Sequence, residues 1–238
     1  MQYRKDIDAL KGISIIAVVL FHMGLLKSGY LGVDVFFVIN GFLVIPSVLK
    51  HISQGDFSFF SFMEKRVVRL LPLIVLASAV TLGLGFFLML PSHYDNLAQT
   101  VIAGNLFSEN ILSAITTKNY WDVVNEYKPL MHLWYVGILF EFYIIISILL
   151  LLCNRCASFF KQDGNRWMTI CLVVVTLCSL AFYFSPVGST GDKFYCLPYR
   201  FFELGIGGCV SLINSNVNND RGGILLLYKK LQLFCSCS

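Results

Sequence analysis

Charged residues are scarce in this sequence of 238 residues. Lys, Arg, Asp and Glu make up 13% of it and hydrophobic residues 57%, whereas soluble domains carry about 25% charged residues. This composition excludes an ordinary soluble domain. The apolar residues also come in long runs, and a helix needs about 20 such residues to cross the hydrocarbon core of a bilayer. The sequence therefore predicts a polytopic membrane protein.

Several signatures of other protein classes are missing as well. No glycine-rich phosphate loop precedes a helix and no GxSxG element is present, which disfavours nucleotide hydrolases and serine esterases. The eight cysteines include one CxxC pair, Cys153 and Cys156, but a structural zinc site needs four ligands, so we predict no metal site. The net charge of +4 is small and the bases lie in loops, so we expect no nucleic-acid partner.

Six apolar segments predict an all-α bundle of about six membrane spans, at residues 10–27, 30–49, 70–91, 130–152, 167–185 and 199–214. No small-residue cleavage site follows Leu26, so we expect the first segment to be a retained span. A cytoplasmic N-terminus puts twelve Lys and Arg residues inside and five outside, in agreement with the positive-inside rule. The segment 51–69 mixes aromatic residues with bases and is typical of a helix at the lipid interface.

The first apolar run contains His22, eleven residues after Lys11. On an α-helix these residues lie about 16 Å apart and on nearly the same face. A titratable side chain within a membrane helix suggests a chemical role. A histidine that is packed and hydrogen-bonded to a neighbour explains the residue equally well.

Arg66 and Arg69 lie three residues apart at the cytoplasmic end of the third span, so their side chains share one side of a helix. Two guanidinium groups can bind phosphate oxygens in pairs, which suits a nucleotide-like donor. Anchoring of the span at the cytoplasmic face is the alternative.

Asp34 and Glu141 are the sole acids in their spans. A carboxylate near the middle of a bilayer costs about 2.5–3.5 kcal/mol unless it is paired, so each needs a partner. Either acid could orient an imidazole for proton transfer, or form a structural ion pair between helices. The candidate partners are Lys11, His22, His132 and Arg200.

Five stretches of the sequence, in this order, resemble the membrane acyltransferase 3 family, bacterial enzymes that O-acylate cell-surface carbohydrates: YRKDIDALKGISIIAVVLFH, GYLGVDVFFVINGFLV, EKRVVRLLPL, PLMHLWYVGILFEFYI and FYCLPYRFFELGIGG. The family has a basic residue eleven positions before an essential histidine, which corresponds to Lys11 and His22. Its paired arginines, associated with acyl-CoA, correspond to Arg66 and Arg69.

Two of these stretches depart from the family pattern. Asn40 stands where the family more commonly has Ser. Leu139, Phe140 and Glu141 stand where the family often has acids followed by Gln, so the carboxylate in this chain is shifted. Arg200 and Glu203 fit the last stretch.

The resemblance implies transfer of an acyl group, most simply acetyl, from acyl-CoA to a hydroxyl of a surface carbohydrate or lipid-linked glycan at the bacterial inner membrane. No permanently bound cofactor is implied. His22 would act as general base or carry the group as an acyl-imidazole, while Lys11 steadies the donor and Asp34 or Glu141 orients the imidazole. Arg66 and Arg69 would bind the donor; the predicted acceptor-binding residues are His132, Trp134, Arg200 and Glu203.

The resemblance extends over about residues 3–212. We therefore expect residues 1–215 to form an incomplete domain of this family and residues 216–238 an atypical cytoplasmic tail. The family domain usually continues through about four more spans, so a truncated, non-catalytic membrane remnant is one alternative function. A proton-coupled transporter is another, with a relay of ionisable residues at Lys11, His22, Asp34 and Glu141, although no duplicated halves are visible.

Overall fold

Nine helices make up most of the chain that the computed structural model describes, residues 5–116 and 128–213. They are α1 (Lys5–His22), α2 (Leu31–Gln54), α3 (Phe59–Leu88), α4 (Pro91–Asn105), α5 (Glu109–Thr116), α6 (Trp134–Phe159), α7 (Gly164–Phe184), α8 (Thr190–Tyr195) and α9 (197–213). A short 3-10 turn, Met131–Leu133, precedes α6. These described residues contain no β-strand.

Within the described ranges, five helical segments are long and apolar enough to cross a membrane, namely α2, α3, Met131–Phe159, α7 and Thr190–Ile213. This confirms the prediction of an all-α membrane bundle. The first predicted span, 10–27, is wrong in its bounds, since α1 begins at Lys5 and ends at His22. Gly24 follows in the left-handed conformation, with φ of 73°, and a left-handed glycine terminates an α-helix. The early start adds three charged residues to Lys11, so α1 holds four, and it is not among the five.

The third predicted span, 70–91, is also longer than expected. Helix α3 begins at Phe59, where the Ser58 hydroxyl caps it by accepting the Ser61 N–H at 3.4 Å. The predicted interfacial segment 51–69 is therefore not separate, because its second half continues directly into the span. The 30 residues of α3 give a helix about 45 Å long.

The predicted tail, residues 216–238, lies outside the described residues.

The chain divides into two compact units, the first formed by residues 1–47 and 203–238 and the second by residues 48–202. In the first unit, a side chain at Gly29 would overlap the Ala17 carbonyl, and a Cβ at Gly32 would lie 2.6 Å from the Ser14 carbonyl oxygen. Helices α1 and α2 therefore run antiparallel with their backbones almost in contact. Small residues allow such close approach between membrane helices.

Helix α9 packs against α2 in the same way within the first unit. A Cβ added to Gly41 would overlap the Leu204 carbonyl, and one added to Gly207 would overlap the Val38 carbonyl. Beside these contacts Phe37 and Ile45 are fully buried. Two glycines, one on each helix, thus set the distance between the helix axes.

The second unit is built on α6. Four fully buried residues at intervals of four form its inner face, namely Ile138, Phe142, Ile146 and Leu150. Residues four apart lie on one side of a helix, and α7 packs against α6 with Met168 and Leu172 buried. The short helix α5 packs against both α6 and α8. This arrangement brings the polar start of α5 into the interior of the unit.

Replacement of Gly207 by alanine tests the close contact of α9 with α2. The added methyl would overlap the Val38 carbonyl and lie 2.8 Å from the Phe42 backbone nitrogen, so the helices must separate. Overpacking of this kind costs about 1–3 kcal/mol. We expect a lower thermal unfolding midpoint for detergent-solubilised Gly207→Ala than for the parent chain.

Gly12→Ala is the matched control, because a Cβ at Gly12 meets no atom within 4 Å. It should leave the midpoint unchanged or raise it slightly, since alanine has the higher helix propensity. Equal midpoints for Gly207→Ala and the parent chain would contradict the proposed packing.

Candidate functional site

Lys11 and His22 lie on one unbroken helix, α1, as their spacing predicted. Lys11 Nζ is 3.4 Å from Asp8 Oδ1, with the two side chains 38% and 42% exposed. Exposed pairs of this kind contribute little to stability, so Asp8 does not fix Lys11 in one position. His22 is the last residue of α1 and is exposed, with its ring edge-on to Phe21 at 5.2 Å.

Asp34 lies in the first turn of α2 and is half-buried. Gly29 faces Ala17 and Gly32 faces Ser14, and this antiparallel register puts Asp34 at the level of Gly12. At about 1.5 Å per residue that level is about 15 Å along the axis from His22. The register therefore favours a role for Asp34 near Lys11 over direct orientation of the His22 imidazole.

Arg66 and Arg69 differ sharply in their surroundings, although they lie one turn apart on α3. The guanidinium of Arg66 lies 3.4 Å from the Phe62 ring centroid and 4.6 Å from that of Tyr143. Its Nη1 donates to the Phe62 carbonyl at 2.9 Å. Arg69 is exposed. The predicted pair is therefore one fixed cation and one accessible cation.

Glu141 has a neutral partner rather than a cation. Its Oε1 accepts a hydrogen bond of 2.9 Å from the side-chain amide of Asn110 on α5, and the same amide donates to the Tyr195 carbonyl at 3.2 Å. Asn110 was not among the predicted partners of this acid. It joins α5, α6 and the end of α8 through one side chain.

The position of Asn110 depends on two features of the neighbouring backbone. Gly137 on α6 makes room for it, since a Cβ there would overlap the Asn110 side-chain oxygen. The turn before α5 places Phe107 in the left-handed region, with φ of 56°, and stacks its ring on Phe140 at 4.3 Å. A non-glycine residue in this region is strained, and the turn directs the start of α5 towards α6.

Glu109, next to Asn110 on α5, is more deeply buried than Glu141, with 1% of its surface exposed. Its Oε1 accepts from the Ser113 hydroxyl at 2.7 Å, and its Oε2 has no hydrogen-bond partner among the described residues. Burial raises the pKa of Glu109 to about 8, although Ser113 and the charge of Lys128 lower it. The carboxyl group is therefore mostly neutral at pH 7.

Sequence reasoning missed Glu109, although a signal for it exists. It is the only charged residue between Asp95 and Lys118. An isolated acid in an otherwise uncharged stretch of a membrane protein is a candidate for burial. The stretch lies between the third and fourth predicted spans, 70–91 and 130–152, and the sequence prediction placed its candidate acids within spans.

Two of the four predicted acceptor-binding residues contact the same side chain. Trp134 and Arg200 are buried and meet at Phe194: the two aromatic rings are 4.7 Å apart, and the Arg200 guanidinium lies 4.7 Å from the Phe194 ring. His132 is exposed in the 3-10 turn before α6. Glu203 is buried in the first unit. Their binding roles remain predictions.

The sequence model of the acyltransferase domain that defines the acyltransferase 3 family matches residues 4–227. This chain belongs to the acyltransferase 3 family. The match covers both compact units, so the Lys11 and His22 helix and the Arg66 and Arg69 helix are parts of the same family domain.

Individual relatives support the same family. A protein of Komagataeibacter xylinus provisionally named a membrane-bound transacylase is 35% identical over 213 residues, which are 88% of this chain and 51% of that protein. A Staphylococcus aureus protein provisionally named an O-acetyltransferase is 30% identical over 153 residues, 63% of this chain and 25% of that protein. A Haemophilus influenzae protein without an assigned function is 24% identical over 212 residues, 86% of this chain and 85% of that protein.

The chain spans about half the length of the first of these acyltransferase 3 relatives and about a quarter of the second. No solved structure matches the chain.

The raised pKa of Glu109 predicts a dependence of stability on pH. Between its ordinary value of 4.5 and about 8, the folded protein holds a proton that the unfolded chain has lost. Stability contributed by this group is complete below pH 4.5 and is lost as pH rises through about 8. We expect the thermal unfolding midpoint to fall between pH 5.5 and 8.5, and Glu109→Gln to reduce that fall.

Asp95→Asn is the control for this measurement, because Asp95 is an exposed acid on α4. It should retain the pH dependence of the parent chain. A Glu109→Gln variant whose midpoint falls with pH as steeply as that of the parent would show that Glu109 is ionised in the folded protein.

Proposed function

We propose that this chain is a membrane O-acyltransferase that moves an acyl group, most simply acetyl, from acyl-CoA to a hydroxyl of a cell-surface carbohydrate or lipid-linked glycan. The proposed location is the bacterial inner membrane, with the N-terminus in the cytoplasm. The donor enters from the cytoplasm and the acceptor from the outer face. No permanently bound cofactor takes part.

The observation that carries this proposal is the unbroken helix α1 in a chain of the acyltransferase 3 family. It holds Lys11 and His22 on nearly the same face, about 16 Å apart along the axis. The register of α1 against α2 puts Lys11 level with residue 35 of α2, and His22 about 10 Å beyond the start of α2 at Leu31. With the N-terminus in the cytoplasm that end of α2 faces outwards, so a donor that reaches along α1 from the cytoplasm and a hydroxyl from the outer face can meet at His22.

The chemistry proposed for His22 needs only an imidazole. In one route the imidazole takes the proton of the acceptor hydroxyl while the oxygen attacks the thioester carbonyl. The carbon–sulfur bond then breaks, and the departing thiolate of CoA takes the proton from the imidazolium. In the other route the imidazole nitrogen attacks the thioester carbonyl first and expels the CoA thiolate, giving an acyl-imidazole. The acceptor hydroxyl then takes the acyl group, which regenerates the imidazole, and the hydroxyl proton goes to the thiolate.

The remaining residues have supporting roles in the proposal. Arg66 and Arg69 bind the donor phosphates, and Lys11 steadies the negative charge of the donor. Glu141, held by Asn110, is a carboxylate with a fixed direction and suits the orientation of an imidazole or a hydroxyl. Aromatic and polar groups that would hold the sugar are His132, Trp134, Arg200 and Glu203.

Replacement of His22 by alanine tests the proposal. We would express the chain and the variant in a bacterial strain lacking surface O-acetylation, and measure ester-linked acetate on extracted glycans by mass spectrometry. Loss of a general base or nucleophile typically lowers the rate by about 10²–10⁴-fold. We expect acetate with the parent chain and none above background with His22→Ala, at equal amounts of membrane-inserted protein.

His51→Ala is the matched control. His51 is exposed near the end of α2, where its Nδ1 lies 3.0 Å from Asp56 Oδ1. This variant should transfer acetate as the parent does. Normal acetylation by His22→Ala would rule out its catalytic role, and no acetate from the parent chain would favour a non-catalytic remnant.

A further inference from the structure

Arg66 is held in place by contacts with two aromatic side chains. It lies half-buried on α3 between two aromatic residues, one on its own helix and one on α6. Its guanidinium is 3.4 Å from the Phe62 ring centroid and 4.6 Å from the Tyr143 ring centroid. The two rings meet edge to face, with centroids 6.1 Å apart and planes at 89°.

A hydrogen bond and a ring contact fix the plane of Arg66 as well as its position. Nη1 donates to the Phe62 carbonyl at 2.9 Å, and the guanidinium lies over the Tyr143 ring, 4.6 Å from its centroid. The hydrogen bond uses one of the five N–H groups of the guanidinium, which leaves the others for a ligand.

Tyr143 is suited to hold a cation in place because it is itself immobile. It is buried on α6, with 6% of its surface exposed, and its neighbour Phe142 is fully buried. A rigid aromatic ring that contacts a guanidinium lowers the freedom that Arg66 must lose when it binds a ligand. Arg69, exposed one turn further along α3, has no such support.

We propose that Tyr143 is a positioning residue for the donor, which sets the plane and depth of the Arg66 guanidinium so that it meets the phosphate groups of acyl-CoA. This inference rests on the proposed function, since it requires the Arg66 and Arg69 pair to bind the donor. The two arginines then differ in role. Arg66 is the preorganised contact, and Arg69 is a mobile cation that closes on the bound phosphate.

Tyr143→Leu tests this role, because it removes the ring that contacts the Arg66 guanidinium, and Tyr143→Phe, which keeps the ring, is the conservative variant. We would measure the Kd for free CoA by isothermal titration calorimetry on the full chain in lipid nanodiscs, with the thermal unfolding midpoint as the check on folding. Ordering of one such side chain corresponds to about 2–12-fold in affinity. We expect Tyr143→Leu to weaken CoA binding by about 3–10-fold, and Tyr143→Phe to bind CoA as the parent does.

A second set of variants separates positioning from a general structural effect. Arg66→Lys keeps the charge, so CoA binding stays measurable, but an ammonium lacks the planar guanidinium that the Tyr143 ring contacts. Tyr143→Leu should therefore add no further loss in the Arg66→Lys chain, yet retain its full effect in an Arg69→Lys chain. Tyr183→Leu is the matched control on α7, where the ring contacts Phe184 and Phe202, and it should bind CoA as the parent does.

The possible failures are distinct. If the parent chain binds CoA and Tyr143→Leu binds it equally well, or weakens it equally in the Arg66→Lys background, the positioning role is overturned and the proposed function stands. If the parent chain itself does not bind CoA, the donor site of the proposed function fails, and the role of Tyr143 fails with it.

Discussion

Asn110 is the residue on which the polar interior of the second unit depends. A buried polar group without a hydrogen bond costs free energy, so most such groups have a partner within the protein. The Asn110 amide donates both to the Glu141 carboxyl group and to the Tyr195 carbonyl, and thereby links α5, α6 and the end of α8. It fits only because Gly137 has no side chain. One amide and one glycine therefore hold the half-buried carboxyl group of Glu141 in place.

The same constraint explains why the two acids of this region differ. Glu141 is half-buried and has the Asn110 amide as a strong donor. Glu109 is almost fully buried and receives one hydroxyl hydrogen bond, from Ser113. Burial disfavours a charge more than one such bond can offset, so Glu109 holds its proton. Two adjacent positions of α5 thus contribute a neutral acid and the amide that binds the Glu141 carboxyl group.

Sequence reasoning reached the features that lie within one element and missed those that join elements. The eleven-residue step from Lys11 to His22 and the three-residue step from Arg66 to Arg69 are properties of single helices, and so is the apolar length of five segments. The pairing of Asn110 with Glu141 joins residues 31 positions apart, and no local period encodes it. The span that was predicted to continue to residue 27 ended at His22, since the sequence does not reveal that Gly24 adopts a left-handed conformation. The difference between Arg66 and Arg69 likewise comes from Tyr143 on another helix.

The length of α3 has a consequence for how its arginines meet the bilayer. Residues 70–88 of this helix are uncharged and measure about 28 Å, close to the thickness of the hydrocarbon core. The residues before them therefore stand at the level of the lipid headgroups, whose phosphates carry the same chemistry as a phosphorylated donor. Exposed Arg69 is open to those lipid phosphates, whereas Arg66 is enclosed by Phe62 and Tyr143. Under the proposed function, anionic lipids thus compete with the phosphorylated donor for Arg69 and much less for Arg66.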